Sequence, residues 1–106
     1  MQIQINTDRN IEADDHLTTD VEDAVQGALG RFGERITRVE VHLSDVNAAK
    51  GGRDNRCLIE ARVAGMPPVA VDEQAHSLRD AIRGAAGKLE RALATRLGRI
   101  DDRSPG

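Results

Sequence analysis

The chain has no tryptophan, no tyrosine and a single phenylalanine, Phe32. Recognition of unpaired nucleobases by stacking needs rings displayed on a strand face, so that mode is excluded. With one cysteine, Cys57, the chain can form neither an internal disulfide nor a cysteine-based zinc site. No apolar run approaches the roughly 18 residues of a membrane-spanning helix. Residues Met1 to Gln4 lack the basic start and apolar stretch of a signal peptide. The expectation is a cytoplasmic protein with no membrane partner.

What the chain does have is aliphatic and charged: of 106 residues, 39% are hydrophobic and 31% charged. A chain of this length supports one core, burying roughly 60 to 70% of the unfolded surface. Isoleucine, valine, leucine and alanine must fill it, with Phe32 as its ring. The formal net charge is −3, which alone disfavours a polyanionic partner. The charges are nevertheless segregated. Between Met1 and Ala24, Asp8, Glu12, Asp14, Asp15, Asp20, Glu22 and Asp23 stand against Arg9 alone. Between Leu78 and Ile100, Arg79, Arg83, Lys88, Arg91, Arg96 and Arg99 stand against Asp80 and Glu90. Such polarity marks either a surface for a charged partner or an ordinary solvated helix.

Periodicity divides the chain into six elements. Residues Gln2 to Asn6 alternate polar and apolar, placing Ile3 and Ile5 on one face of a short strand. Asp14 is positioned to cap a helix and Asp15 to favour its positive end. Leu17, Val21, Ala24, Val25, Ala28, Leu29 and Phe32 then form one stripe at helical spacing, with Gly33 as the left-handed terminator. Arg38 to Ser44 and Arg56 to Ala64 alternate as half-buried strands, joined by a polar loop containing Gly51 and Gly52. Gly65 to Pro68 turns the chain into a fourth strand from Val69 to Glu73. From His76 to about Ile100, Leu78, Ile82, Ala85, Ala86, Leu89, Leu93, Leu97 and Ile100 share about a third of a helical wheel. Gly84 and Gly87 fall on the outer arc, as surface drift or as room for a close neighbour.

The order is β-α-β-β-β-α, an α/β chain of α+β type with a four-stranded sheet and two helices on one face. Residues 1–100 form one domain, and 101–106 a polar tail. Nothing in this arrangement assembles an enzyme. Cys57 points inward while His42 points to the opposite strand face, so no thiol-imidazole pair forms. Asp14, Asp15 and His16 fan outward from a helix start, which suits capping and not metal binding. Gly51 and Gly52 lack the lysine and the strand-to-helix context of a phosphate-cradling loop. The expectation is a protein without catalysis, cofactor, metal or small-molecule substrate. Without exposed rings, any RNA binding must use charge and shape.

The residues also carry a resemblance. The opening Met1 to Glu12, the pair Leu17 and Val21, the pair Ala81 and Ile82, and the run Lys88, Leu89, Glu90 and Arg91 resemble the bacterial hibernation-promoting factor and ribosome-associated inhibitor family, in its short form. The likeness extends over nearly the whole chain. It implies a stress or stationary-phase factor that occupies the mRNA and tRNA sites of the small ribosomal subunit and halts translation without chemistry. It also implies RNA contacts at Lys88 and Arg91, with Arg83 an additional basic group and Arg9 a commonly basic position. The chain departs from the family pattern at Asp20, Ala24 and Gly27 in the first helix and at Ser77 and Arg79 in the second. The alternative is a protein-interaction module that pairs through the open sheet face around Glu40, His42, Glu60 and Arg62. The sequence does not give the oligomeric state.

Overall fold

A computed structural model describes residues 1–9, 11–45 and 55–103, with side chains among these through residue 98. The chain runs β1 (Gln2–Thr7), α1 (Asp15–Leu29), a 3-10 segment (Gly30–Arg35), β2 (Ile36–Asp45), β3 (Asn55–Val63), β4 (Val69–Ala75) and α2 (Leu78–Arg103). The sheet order is β1-β2-β3-β4. β1 pairs parallel with β2, and the other two pairings are antiparallel. A parallel pair requires a crossover, which α1 supplies, whereas β2 to β4 form successive hairpins. Both helices therefore start at the same end of the sheet, where β1 and β4 finish.

One sheet face is closed by the helices, with α2 against β3 and β4 and α1 beside it. Val39, Val41, Leu43, Cys57, Ile59, Ala61, Val63 and Val69 point into this layer. The inward stripes Leu17, Val21, Val25, Ala28 and Leu29 of α1 and Ala81, Ile82, Ala85, Ala86, Leu89, Leu93 and Leu97 of α2 meet them. From Val39 to Leu43 and from Cys57 to Val63 the alternation is strict, with a register irregularity between Ile36 and Arg38, and a one-residue slip would expose every apolar side chain at once. No polar side chain is buried among the described residues, so the core is held by aliphatic burial, about 1.5 to 3 kcal/mol for each fully enclosed Val, Leu or Ile.

The start of α1 follows the expected capping chemistry, and Ser77 caps α2, one residue past the expected start at His76. The Asp14 carboxylate accepts from the Leu17 amide at 2.9 Å, and the Ser77 hydroxyl accepts from the Asp80 amide at 3.0 Å. The end of α1 differs from expectation. The α-helix stops at Leu29, and Gly33, with φ 59° and ψ −132°, breaks the 3-10 segment that follows. Phe32 is consequently only partly buried and packs on the margin of the core instead of inside it. β4 extends two residues past Glu73, and α2 continues through Arg103 into the expected tail. The β2–β3 loop reading falls on residues 46–54, outside those described.

Candidate nucleic-acid interface

The outer arc of α2 holds the basic residues that the sequence singles out, but in three different settings. Arg79, Arg83, Gly87 and Arg91 follow one another at four-residue spacing, so they share a slowly drifting row on the helix surface. All three arginines are exposed and, among the described residues, none makes an ion pair. A helical side chain leans toward the amino terminus of its helix. Arg91 does so: its Nη1 lies 3.3 Å from where a Cβ on Gly87 would stand. Gly87 thus leaves room for the guanidinium to lie back along the row.

Arg79 and Arg83 also line a hollow of about 310 Å³ between the helices, together with Ile82 and with Asp20, Asp23, Ala24 and Gly27 of α1. The two carboxylates oppose the two guanidinium groups across this gap. Ala24 and Gly27 are small, which leaves it open.

Lys88 lies at the other margin of α2, over the edge strand. Its Nζ donates to the Asp72 carbonyl at 2.9 Å and meets Glu73 Oε1 at 3.3 Å. Gly84, one turn earlier, faces the same carboxylate. A Cβ there would stand 2.7 Å from Cγ and Oε2 of Glu73. Gly84 is therefore no surface accident: its bare backbone is the space that Glu73 occupies.

Arg9 is exposed in the turn after β1. β1 is the edge strand opposite β4, over which α2 packs, so the fold does not bring Arg9 beside Lys88. Three of the four expected contact residues share α2, and the fourth stands apart across the sheet. The side chain of Arg99 lies outside the described residues. Arg79 of the row falls outside the expected set, as do Arg31 and Arg35. Arg31 and Arg35 line a second hollow, of about 500 Å³, with Phe32, Ala94, Leu97 and Gly98. The Arg31 guanidinium lies 4.8 Å from the Phe32 ring centroid and its Nε is 3.7 Å from Glu90.

The open face of the sheet is charged but compensated. Arg38 pairs with Glu40 at 3.0 Å, Arg62 with Glu60 at 3.8 Å and Arg56 with Asp72 at 3.0 Å. His42 lies opposite Leu58 on this face, while its neighbour in sequence, Leu43, lies opposite the enclosed Cys57. The imidazole and thiol are on opposite sides of the sheet, as the alternation requires. Burial pushes the Cys57 thiol up to about 12, far from the thiolate needed for nucleophilic chemistry. Among the described residues, no group of His, Cys, Asp or Glu side chains could hold a metal ion, and no helix is long and apolar enough to cross a membrane.

Fold and surface together define a small α+β domain with a cationic ridge on its second helix. The chain belongs to the sigma 54 modulation protein / S30EA ribosomal protein family, whose profile matches residues 3–101. This is the ribosome-associated hibernation and modulation family that the sequence resembles. The crystal structure of the Thermus thermophilus Protein Y N-terminal domain superposes with a TM-score of 0.73 at 26% identity, covering 91% of this chain and 99% of that one. A ribosomal subunit interface protein from Coxiella burnetii shares the fold with a TM-score of 0.73 at 13% identity, covering 92% of this chain and 99% of that one. A search of curated proteins returns no match.

Proposed function

We propose that this protein binds the RNA of the small ribosomal subunit through the outer arc of α2 and inhibits translation by occupying the mRNA and tRNA sites. It does so in the cytoplasm, during stress or stationary phase, without catalysis, cofactor or small-molecule substrate. The observation that carries the reading is the row of Arg79, Arg83 and Arg91, exposed and free of carboxylate partners among the described residues. Lys88 extends this surface toward β4, and Arg9 adds a separate contact from the opposite edge. The open sheet face is a poorer candidate, because its arginines are already neutralised by Glu40, Glu60 and Asp72. Family membership supports the ribosome as the partner.

An unpaired guanidinium on a helix surface gains affinity for RNA chiefly by displacing the counterions of phosphates. Each phosphate so neutralised adds about 0.7 to 0.9 to the slope of log K against log salt. Small-subunit binding should be measured at several salt concentrations for the native chain and for an Arg83→Glu, Arg91→Glu double variant. The variant should bind more weakly, with a slope shallower by about 1.4 to 1.8, because two phosphates keep their counterions. Equal slopes would show that α2 does not face the RNA. Stronger dependence on Glu40→Lys and Arg62→Glu than on the α2 variants would move the interface to the sheet.

A further inference from the structure

The cations of α2 are not equivalent, and the difference arises from one carboxylate. Glu73 leaves β4 on the inner side of the sheet, opposite Cys57, and its side chain passes beneath α2 where Gly84 has no Cβ. There it meets the Lys88 ammonium at 3.3 Å. Both groups keep partial solvent access, with side chains 44% exposed for Lys88 and 32% for Glu73. An ammonium has three donors. One is committed to Glu73, one to the Asp72 carbonyl, and one remains. Arg83 and Arg91 carry no such commitment.

Resting on the RNA-binding reading above, we propose that Glu73 is an internal competitor for the phosphate at Lys88 and so makes this contact conditional. A phosphate reaching Lys88 from a poorly fitting RNA meets a cation already neutralised. Only a backbone held in register by Arg83 and Arg91 presents its phosphate at high enough local concentration to displace the carboxylate. Because only an RNA that makes the Lys88 contact must displace the carboxylate, Glu73 lowers affinity most where that contact is fully made, which makes it an affinity-setting residue at this position. Glycine at position 84 suits this packing: a Cβ there would stand 2.7 Å from Cγ and Oε2 of Glu73, so the carboxylate would have to shift.

Two variants separate pairing from net charge. Glu73→Gln removes the competing charge, whereas Gly84→Ala displaces the carboxylate with no change in charge. Binding of each to a plain A-form RNA duplex and to purified small subunits, across a salt series, tests the proposal. Both should bind the duplex about two- to fivefold more tightly, the worth of an exposed ion pair, with a slope steeper by about 0.7 to 0.9. The gain on the small subunit should be at least as large, because the Lys88 contact is fully made there. Neither substitution should add affinity in a Lys88→Gln background. Glu22→Gln, which removes an exposed carboxylate on α1, should leave duplex affinity unchanged. A gain that persists without Lys88, an equal gain from Glu22→Gln, or no gain from either test variant overturns the proposal while leaving the ribosomal reading intact. If the native chain binds neither RNA, both fail together.

Discussion

Truncating Leu89 should cost more stability than truncating Phe32, although phenylalanine is the larger side chain. Leu89 is 0% exposed on the inward stripe of α2. Its replacement by alanine loses the transfer free energy of the removed carbons and leaves an enclosed cavity, about 3 to 5 kcal/mol together. Phe32 stands in the 3-10 segment on the margin of the core, with the 500 Å³ hollow beside it. Water can enter the space that a truncated ring leaves there, so no closed cavity forms. Only the covered part of the ring's area is lost, about 1 to 2 kcal/mol, with about 0.5 kcal/mol more for the exposed stacking with Arg31. Urea unfolding of Leu89→Ala and Phe32→Ala, compared through their midpoints at unchanged m, measures both. A domain stability of roughly 5 to 15 kcal/mol makes the Leu89 loss a large fraction of the whole. Equal losses in the two variants would place the ring inside the core and refute the break at Leu29.

Two further outcomes follow from local chemistry. The Cys57 thiol ionises more readily unfolded, at 9.0, than folded, at about 12. As pH rises through this window the unfolded state sheds its proton first, and stability falls. Stability of the native chain should therefore decline more steeply between these values than that of Cys57→Ala, and equal declines would show that the thiol is not desolvated. Asp14→Ala should destabilise the fold by about 1 kcal/mol in thermal or urea unfolding, because the Leu17 amide loses its acceptor. Asp14→Asn, which keeps an acceptor oxygen, should recover most of the loss; failure to recover it would assign the effect to charge near the helix start.

Periodicity reveals an element wherever one face is buried and the other is wet. Val39, Val41 and Leu43 alternate with Arg38, Glu40 and His42, so the placement of β2 follows from its residue order. The same holds for the stripe from Ala81 to Leu97. At the end of α1 the pattern misleads, since Leu29 and Phe32 keep a three-residue spacing through Gly30 and Gly33. Gly33 takes the positive φ expected of it, but spacing cannot report that the α-helix already stops at Leu29 and leaves Phe32 in a 3-10 segment on the margin of the core. The candidate site divides in the same way. Arg83 and Arg91 are legible as exposed cations because a helical wheel suffices to place them. The engagement of Lys88 is not, because Glu73 lies fifteen residues away on another element and only the packing of α2 on β4 brings them together. Gly84 owes its meaning to that packing as well. A wheel places it outward, yet the neighbour that needs its missing Cβ belongs to the sheet.

The charge segregation of the chain gains a direction once it is folded. α1 and α2 lie side by side and start from the same end, so the acidic first helix borders the basic second one along their length. Asp20 and Asp23 stand across the hollow from Arg79 and Arg83, at the side of α2 facing α1. Lys88 is held by Glu73 at the side facing β4. A polyanion is repelled where Asp20 and Asp23 face the row and meets a neutralised cation at Lys88, which leaves the outward side of the row, toward Arg91, as the approach with least opposition. At physiological salt, charges more than about 8 Å apart are largely screened. The net charge of −3 therefore matters less to a phosphate on this row than the arginines beside it. An acidic protein can in this way present a locally cationic ridge, with the flanking carboxylates restricting the orientations in which RNA engages it. Replacing Asp20 and Asp23 by asparagine should accordingly raise affinity for a plain RNA duplex at low salt, with the gain shrinking as salt is added. A gain that survives at high salt would mean that these carboxylates act by shape and not by charge.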